Sequence, residues 1–282
     1  MLNPLTLISP RFQRRCLYLC LSASVSLGIG VGLPHKAQAI PVFDILIQGA
    51  QILQLSNVSD KQEVQLGREI NQQLVRNEIQ LYTNPNVNRY VNQIGQKLAA
   101  NSTRSNIPYK FQVVRDNSVN AFATMGGYVY VTTGLLRAAD NEAQLASVIA
   151  HEIGHIVNRH ALEQMRQTAI ARGVASAAGL DRSAAVQIGV DLALRRPNSR
   201  QDELEADRTG LQMLGRAGYA QSAMIAFMQK LVNQRSVPTF LSTHPATSDR
   251  IAALRRNINP QKANVGGGLN KTAYRARIQP LS

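Results

Sequence analysis

Residues 151 to 155 read His151-Glu152-Ile153-Gly154-His155. On an α-helix, side chains four apart lie on one face a turn apart. Two imidazoles so spaced can meet one divalent ion, with Glu152 beside the coordination position they leave open. Three of the chain's five histidines, His151, His155 and His160, fall within ten residues, which ordinary surface histidines do not explain. The chemistry this pattern suits is a zinc ion that acidifies water, with a glutamate to take the proton.

A zinc site of this kind needs a third protein ligand and keeps the fourth position open. In one subclass that ligand is a histidine six residues after the second; here the position holds Ala161. His160 is one residue short and, on a continuous helix, points about 100° away, which makes it a surface residue or a support for the ligands. The best candidate is Glu203 in Asp202-Glu203-Leu204-Glu205-Ala206-Asp207. Glu203 and Asp207 share a helical face with Ala206 and Gly210, small enough to let this helix approach the His151 helix closely. Gly154, which costs a helix interior about 1 kcal/mol against Ala, serves the same approach. On that geometry Asp207 accepts a hydrogen bond from a ligand imidazole and fixes its orientation.

The elements that must position these residues read as mostly helical with one small sheet. Ser59-Asp60 followed by Glu63 and Val64, Leu66, Ile70 and Leu74 predicts a capped amphipathic helix, and a second begins near Pro85. Phe111–Val114, Ala121–Ala123 and Tyr128–Thr132 are strand-like, the last two flanking Gly126-Gly127 as a hairpin. Helical patterning resumes near Asn141 and runs into residue 160 and beyond. Ala169 to Leu194 is Ala- and Gly-rich, but Arg172, Asp181, Arg182 and Asp191 interrupt it, so it reads as a helical hairpin or mobile arm rather than a membrane span. Further helices are expected over 201–216, 221–234 and 246–256. Gly266-Gly267-Gly268 and the basic residues after it suggest a flexible tail over 265–282.

The first 39 residues have the form of an export signal: Arg11, Arg14 and Arg15, an apolar run from Cys16 to Leu33, and Ala37-Gln38-Ala39 before Ile40. A retained membrane anchor is the other reading of the same run. Both cysteines, Cys16 and Cys20, lie within it, so the remainder forms no disulfide. Of the chain's net charge of +14, +10 remains beyond this segment. An exported protein rarely meets nucleic acid, so the balance suits an anionic membrane surface or acidic polypeptide, or is simply a basic solvated surface. The expected organisation is a signal over 1–39, a metallopeptidase domain over 40–264 and the tail.

With these residues in view the chain resembles the HtpX-like zinc metallopeptidases related to the CAAX prenyl endopeptidase. The resemblance rests on Asn120-Ala121-Phe122-Ala123 with Gly126-Gly127-Tyr128-Val129-Tyr130-Val131, on the His151–His155 motif, on Ser199-Arg200 leading into Glu203–Asp207, and on Thr243-His244-Pro245 with Arg250-Ile251. It covers about residues 60 to 256. It implies an α+β, mainly helical, zincin-like fold with a small antiparallel sheet. It implies one Zn2+ on His151, His155 and Glu203, with Glu152 as general base. It also makes His244 functional, either stabilising the oxyanion or binding zinc to keep the enzyme latent, with Arg250 supporting that region. The chain departs from its relatives in lacking the several transmembrane helices of some and the helical repeat domain of others.

The function expected is an endopeptidase acting on unfolded or misassembled proteins of a cell envelope, in a periplasm or a thylakoid lumen, soluble or peripherally attached. Extended substrate would add as a strand to the edge at Gly127, Tyr128, Val129 and Tyr130 or its neighbour. Two other readings share the residues: a metal-binding chaperone that holds polypeptide without cutting it, and a structural zinc protein closed by His244.

Overall fold

Ser59 opens the first long helix by reciprocal capping: its Oγ accepts from the Gln62 amide at 3.3 Å while Gln62 Oε1 accepts from the Ser59 amide at 2.9 Å. The reciprocal partner is thus Gln62. Glu63, the partner the sequence offered, is turned inward and fully buried. The computed structural model describes residues 52–53, 57–172, 180–195, 197–234, 237–245 and 248–281. The expected export signal lies outside them.

In chain order the elements are β1 (Ile52–Leu53), α1 (Asp60–Asn77), α2 (Pro85–Ala99), β2 (Lys110–Val114), β3 (Ala121–Thr124), a 3₁₀ turn (Met125–Gly127) and β4 (Tyr128–Thr132). There follow α3 (Thr133–Ala138), α4 (Glu142–Val157), α5 (His160–Ala171), β5 (Leu180–Asp181), α6 (Arg182–Arg195), α7 (Arg200–Arg216), α8 (Ser222–Val232), α9 (Thr239–Thr243), α10 (Ser248–Asn257) and α11 (Lys271–Ile278), with a final 3₁₀ turn (Gln279–Leu281). The fold is mainly helical around a three-stranded sheet, and β1 pairs with β5 in a separate two-residue ladder.

The strand order is β2-β4-β3. β3 and β4 form the expected hairpin, antiparallel with Ala121 opposite Val131. β2 runs parallel to β4, Lys110 opposite Tyr128 through Val114 opposite Thr132, so the sheet is mixed where an antiparallel one was expected. The loop after β2 carries the chain past the place of β4, lays β3 on the far side, and the hairpin then inserts β4 between them. The burial of Val129, Tyr130 and Val131 fits this, because a strand apolar on both faces belongs in the middle of a covered sheet. One expectation is overturned: Tyr128, Val129 and Tyr130, with Gly127 just before them, belong to the central strand, whose two sides are both paired. Substrate can add only to a strand with a free side, and among the described residues β3 has a strand partner on one side alone.

A further expectation changes. The helix over the histidines does not run through residue 160: α4 ends at Val157, Arg159 turns left-handed at φ 59°, and α5 starts at His160. Of the segment from 169 to 194, residues 173–179 lie outside the described residues; the rest is the end of α5, the short strand β5 and α6, which packs on α5, on α1 and against β3.

The tail is also folded. Tyr274 on α11 is buried and its hydroxyl donates to the Leu136 carbonyl at 2.7 Å, while Arg137 donates to the Leu281 carbonyl at 3.1 Å. The three glycines read as a linker instead permit close approach. Gly266 and Gly268 take φ of 132° and 87°, and a Cβ on Gly266 would stand 2.6 Å from the Tyr219 carbonyl carbon. Gly267 donates to the Gly218 carbonyl and accepts from the Ala220 amide. Because Tyr274 fills core volume, Tyr274→Ala should destabilise the fold by about 3 kcal/mol or more. Urea unfolding measures this, and an unchanged midpoint would mean that the segment is not part of the core.

Candidate metal centre

The histidine helix α4 starts at Asn141, whose side chain accepts from the Gln144 amide. It carries an almost continuous apolar run, Leu145, Val148, Ile149 and Ile153, because it is covered on nearly every side. α7 starts at Ser199, which forms a reciprocal cap with Asp202. The two helices meet through small residues, as the sequence led one to expect. A Cβ on Gly154 would lie 2.7 Å from the Ala206 carbonyl oxygen, and one on Gly210 would lie 2.9 Å from the Ala150 carbonyl oxygen.

That approach brings His151, His155 and Glu203 together, and His244, at the end of α9, joins them. His151 Nε2 is 3.1 Å from His155 Nε2 and 3.2 Å from His244 Nδ1. Glu203 Oε1 is 3.3 Å from His155 Nε2 and 3.0 Å from His244 Nδ1, and Glu203 Oε2 is 3.4 Å from His151 Nε2. One donor atom from each of the four residues lies within 4.8 Å of the others, close enough for them to share a single ion at the bond length of nitrogen and oxygen to zinc, about 2 Å. The donor set therefore fits a divalent metal ion. All four residues are buried, His155 the most exposed at 7%.

The charges agree with the geometry. Burial pushes the His155 pKa down to about 3, so its imidazole is neutral with a lone pair to donate. Burial acts the same way on His151, but Glu203 and Asp207 reverse it and raise that pKa to about 10. The place in front of these carboxylates favours positive charge. Burial would raise Glu203, yet His244 and His151 hold its carboxyl well below the usual range. Glu152, fully enclosed, is shifted upward by burial, the direction that strengthens a base.

Asp207 Oδ1 lies 3.0 Å from His151 Nδ1. Both its oxygens accept from Arg250, at 2.8 Å each. Arg250 is buried, touches Glu203 Oε2 at 2.5 Å, and donates to the His244 and Pro245 carbonyls at 3.3 and 3.0 Å. It thereby ties the His244 segment to the ligand helix. His244 stacks on Phe240 at 4.6 Å, and its Nε2 is 3.4 Å from Glu152 Oε1. Glu152 and His155 open on a cleft shared with Phe122 and Ala123 of β3 and with Leu192 and Ala193 of α6. Gly127 to Tyr130 do not line it.

One residue at the site escaped the sequence reading. Asn198 donates its backbone N–H to the Thr243 carbonyl at 3.0 Å and places Nδ2 3.2 Å from His244 Nδ1. His160, which the sequence left as a surface residue or a support for the ligands, lies against His155 with their Nδ1 atoms 2.8 Å apart. Asn158, a residue type common at helix ends, was the available signal for that turn.

A buried His-His-Glu set on two closely packed helices, joined by His244 from the end of α9 and beside a small sheet, is a zincin-like arrangement. The chain belongs to peptidase family M48, which its residues 85–258 match. It is 35% identical over 227 residues to the beta-barrel assembly-enhancing protease of Escherichia coli (strain K12), a match covering 74% of this chain and 46% of that protein. It is 32% identical over 169 residues to the mitochondrial metalloendopeptidase OMA1 of Schizosaccharomyces pombe, covering 57% and 50%. The Arabidopsis thaliana protein of that name is 36% identical over 157 residues, covering 54% and 32%. The chain thus spans half or less of the length of these curated relatives. Among the described residues no helix is long and apolar enough to cross a membrane.

The helix contact makes a prediction of opposite sign to helix propensity. Gly154→Ala should gain about 1 kcal/mol from propensity. The added methyl instead meets a backbone oxygen, and overpacking of this kind costs about 1–3 kcal/mol. Urea unfolding should show a net loss, with less zinc retained after dialysis. A stabilised variant with full zinc content would contradict the close contact.

Proposed function

We propose that this protein is a zinc-dependent endopeptidase that cleaves unfolded or misassembled polypeptides in a cell envelope, exported there by residues 1–39. The observation that carries the reading is the convergence of His151, His155 and Glu203 with Glu152 at the floor of a cleft whose wall is β3. A zinc ion in this donor set supplies Lewis acidity toward a peptide carbonyl and acidifies water. Glu152 takes the proton of the attacking water and delivers it to the departing amine. β3 offers its unpaired side to an extended substrate, and main-chain pairing of that kind selects for chain that is unfolded or loosely structured. The resemblance to HtpX-like enzymes and the protease names of the relatives support the same assignment. The charge of +10 beyond the leader suits peripheral contact with an anionic membrane in a periplasm or a thylakoid lumen.

The place of His244 as a fourth donor facing Glu152 supports a latent resting form. Activity then requires the His244 segment to withdraw, after which the same imidazole is placed to stabilise the oxyanion. The closed four-donor arrangement also favours a second reading, a metal-binding chaperone or structural zinc protein that never cuts.

Cleavage of casein by zinc-loaded residues 40–282 separates these. Wild type should cut slowly and Glu152→Gln should lose about 10²-fold or more of that rate. His244→Ala should cut faster than wild type if latency dominates, and removal of zinc by a chelator should abolish all cleavage. Silence of both wild type and His244→Ala, with zinc bound, would sink the protease reading in favour of the chaperone.

A further inference from the structure

We propose that His160 is a positioning residue for the metal centre: through its Nδ1 it holds the His155 imidazole in the tautomer and orientation that present Nε2 to the ion. The inference rests on the metal reading above and adds to it a residue outside the ligand set.

The proton arrangement follows from the contacts. When His155 coordinates through Nε2, its ring proton sits on Nδ1. That atom lies 2.8 Å from His160 Nδ1, so His155 donates and His160 accepts. The His160 proton then sits on Nε2, which faces Glu205 Oε2 at 3.5 Å and Asp202 Oδ1 at 4.0 Å, both on α7. The two ligand histidines are therefore supported differently. His151 leans directly on a carboxylate, Asp207, which Arg250 neutralises. His155 leans on an imidazole whose far side faces the Glu205 and Asp202 carboxylates. With Glu152, Glu203 and Asp207 already buried, a ring nitrogen as acceptor supports His155 without placing another carboxylate in the site.

The turn that returns His160 to this place is built at a cost. Arg159 has φ 59°, a conformation few residues other than glycine adopt, and one that persists only where the surroundings impose it. They do so here. Arg159 Nε donates to Glu63 Oε2 at 2.9 Å and its Nη2 to the Val58 carbonyl at 2.6 Å. Arg104 joins the same Glu63 to the Ile156 carbonyl in the last turn of α4. Without the left-handed residue, α4 would continue and His160 would point away from His155. His160 is itself 5% exposed and so is enclosed where it can act on His155.

The test is zinc affinity of the full chain, measured by competition with a fluorescent zinc chelator and free of any substrate. His160→Phe keeps a ring but removes the acceptor and should weaken zinc binding about 10–100-fold. His160→Asn sets an amide oxygen where Nδ1 stood and should recover most of that loss. Equal affinity of His160→Phe and wild type overturns the proposal, as does His160→Asn binding as weakly as His160→Phe, which would mark a packing role. If wild type binds no zinc, the metal reading falls with it, whereas tight wild-type binding with indifferent variants removes this inference alone. Should the variants not fold, ¹⁵N NMR of the zinc-loaded wild type decides. The expected signature is a protonated Nδ1 on His155 and a bare Nδ1 on His160; a proton on His160 Nδ1 overturns the proposal.

Discussion

The site depends on how closely two helices approach. α4 carries both ligand histidines and α7 carries Glu203 and Asp207, and a carboxylate is short. It reaches the imidazoles only because Gly154 and Gly210 present no side chain where the backbones of Ala206 and Ala150 press against them. Larger residues at these points would leave each helix intact and separate the donors. The same contact excludes water, so every charge at the centre acts in a medium of low dielectric constant.

Burying that much charge is costly unless each group is answered. Arg250 answers two carboxylates at once, Asp207 and Glu203, and holds the His244 backbone with its remaining donors. It is thus a counter-charge and a mechanical link, joining the ligand helix to the segment that closes the site. The position of His244 and the geometry of the candidate ligands share that link, and a change in one is felt by the other.

A further buried carboxylate does comparable work away from the candidate metal centre. Glu63 gathers Arg104, Arg159 and the Gly126 amide, so α1, the end of α4 and the β3–β4 turn meet at one side chain. The cleft wall and the turn before His160 are fixed relative to each other by this network rather than by contacts inside the site.

Local features were open to sequence reading because they depend on spacing and on groups a few residues apart. These include the pair His151 and His155 a turn apart, the facing pair Glu203 and Asp207, the cap at Ser59, the helix start near Pro85, the hairpin around Gly126-Gly127, and the small residues that let α4 meet α7. Only the tertiary structure could decide what depends on distant neighbours. Tyr128–Tyr130 look like an edge strand until β2 pairs beside them, and strand order is set by where the loops carry the chain, which side-chain alternation does not encode. Gly266–Gly268 look like a linker until Tyr219 packs against them, because glycine serves both free chain and the closest contacts. His160 looked misplaced because one left-handed residue, imposed by Glu63 from 96 positions away, reverses a direction that helical periodicity would have continued. The family's chemistry is written in local spacing, while the direction of each side chain and the free edge of the sheet are set by packing over long separations along the chain.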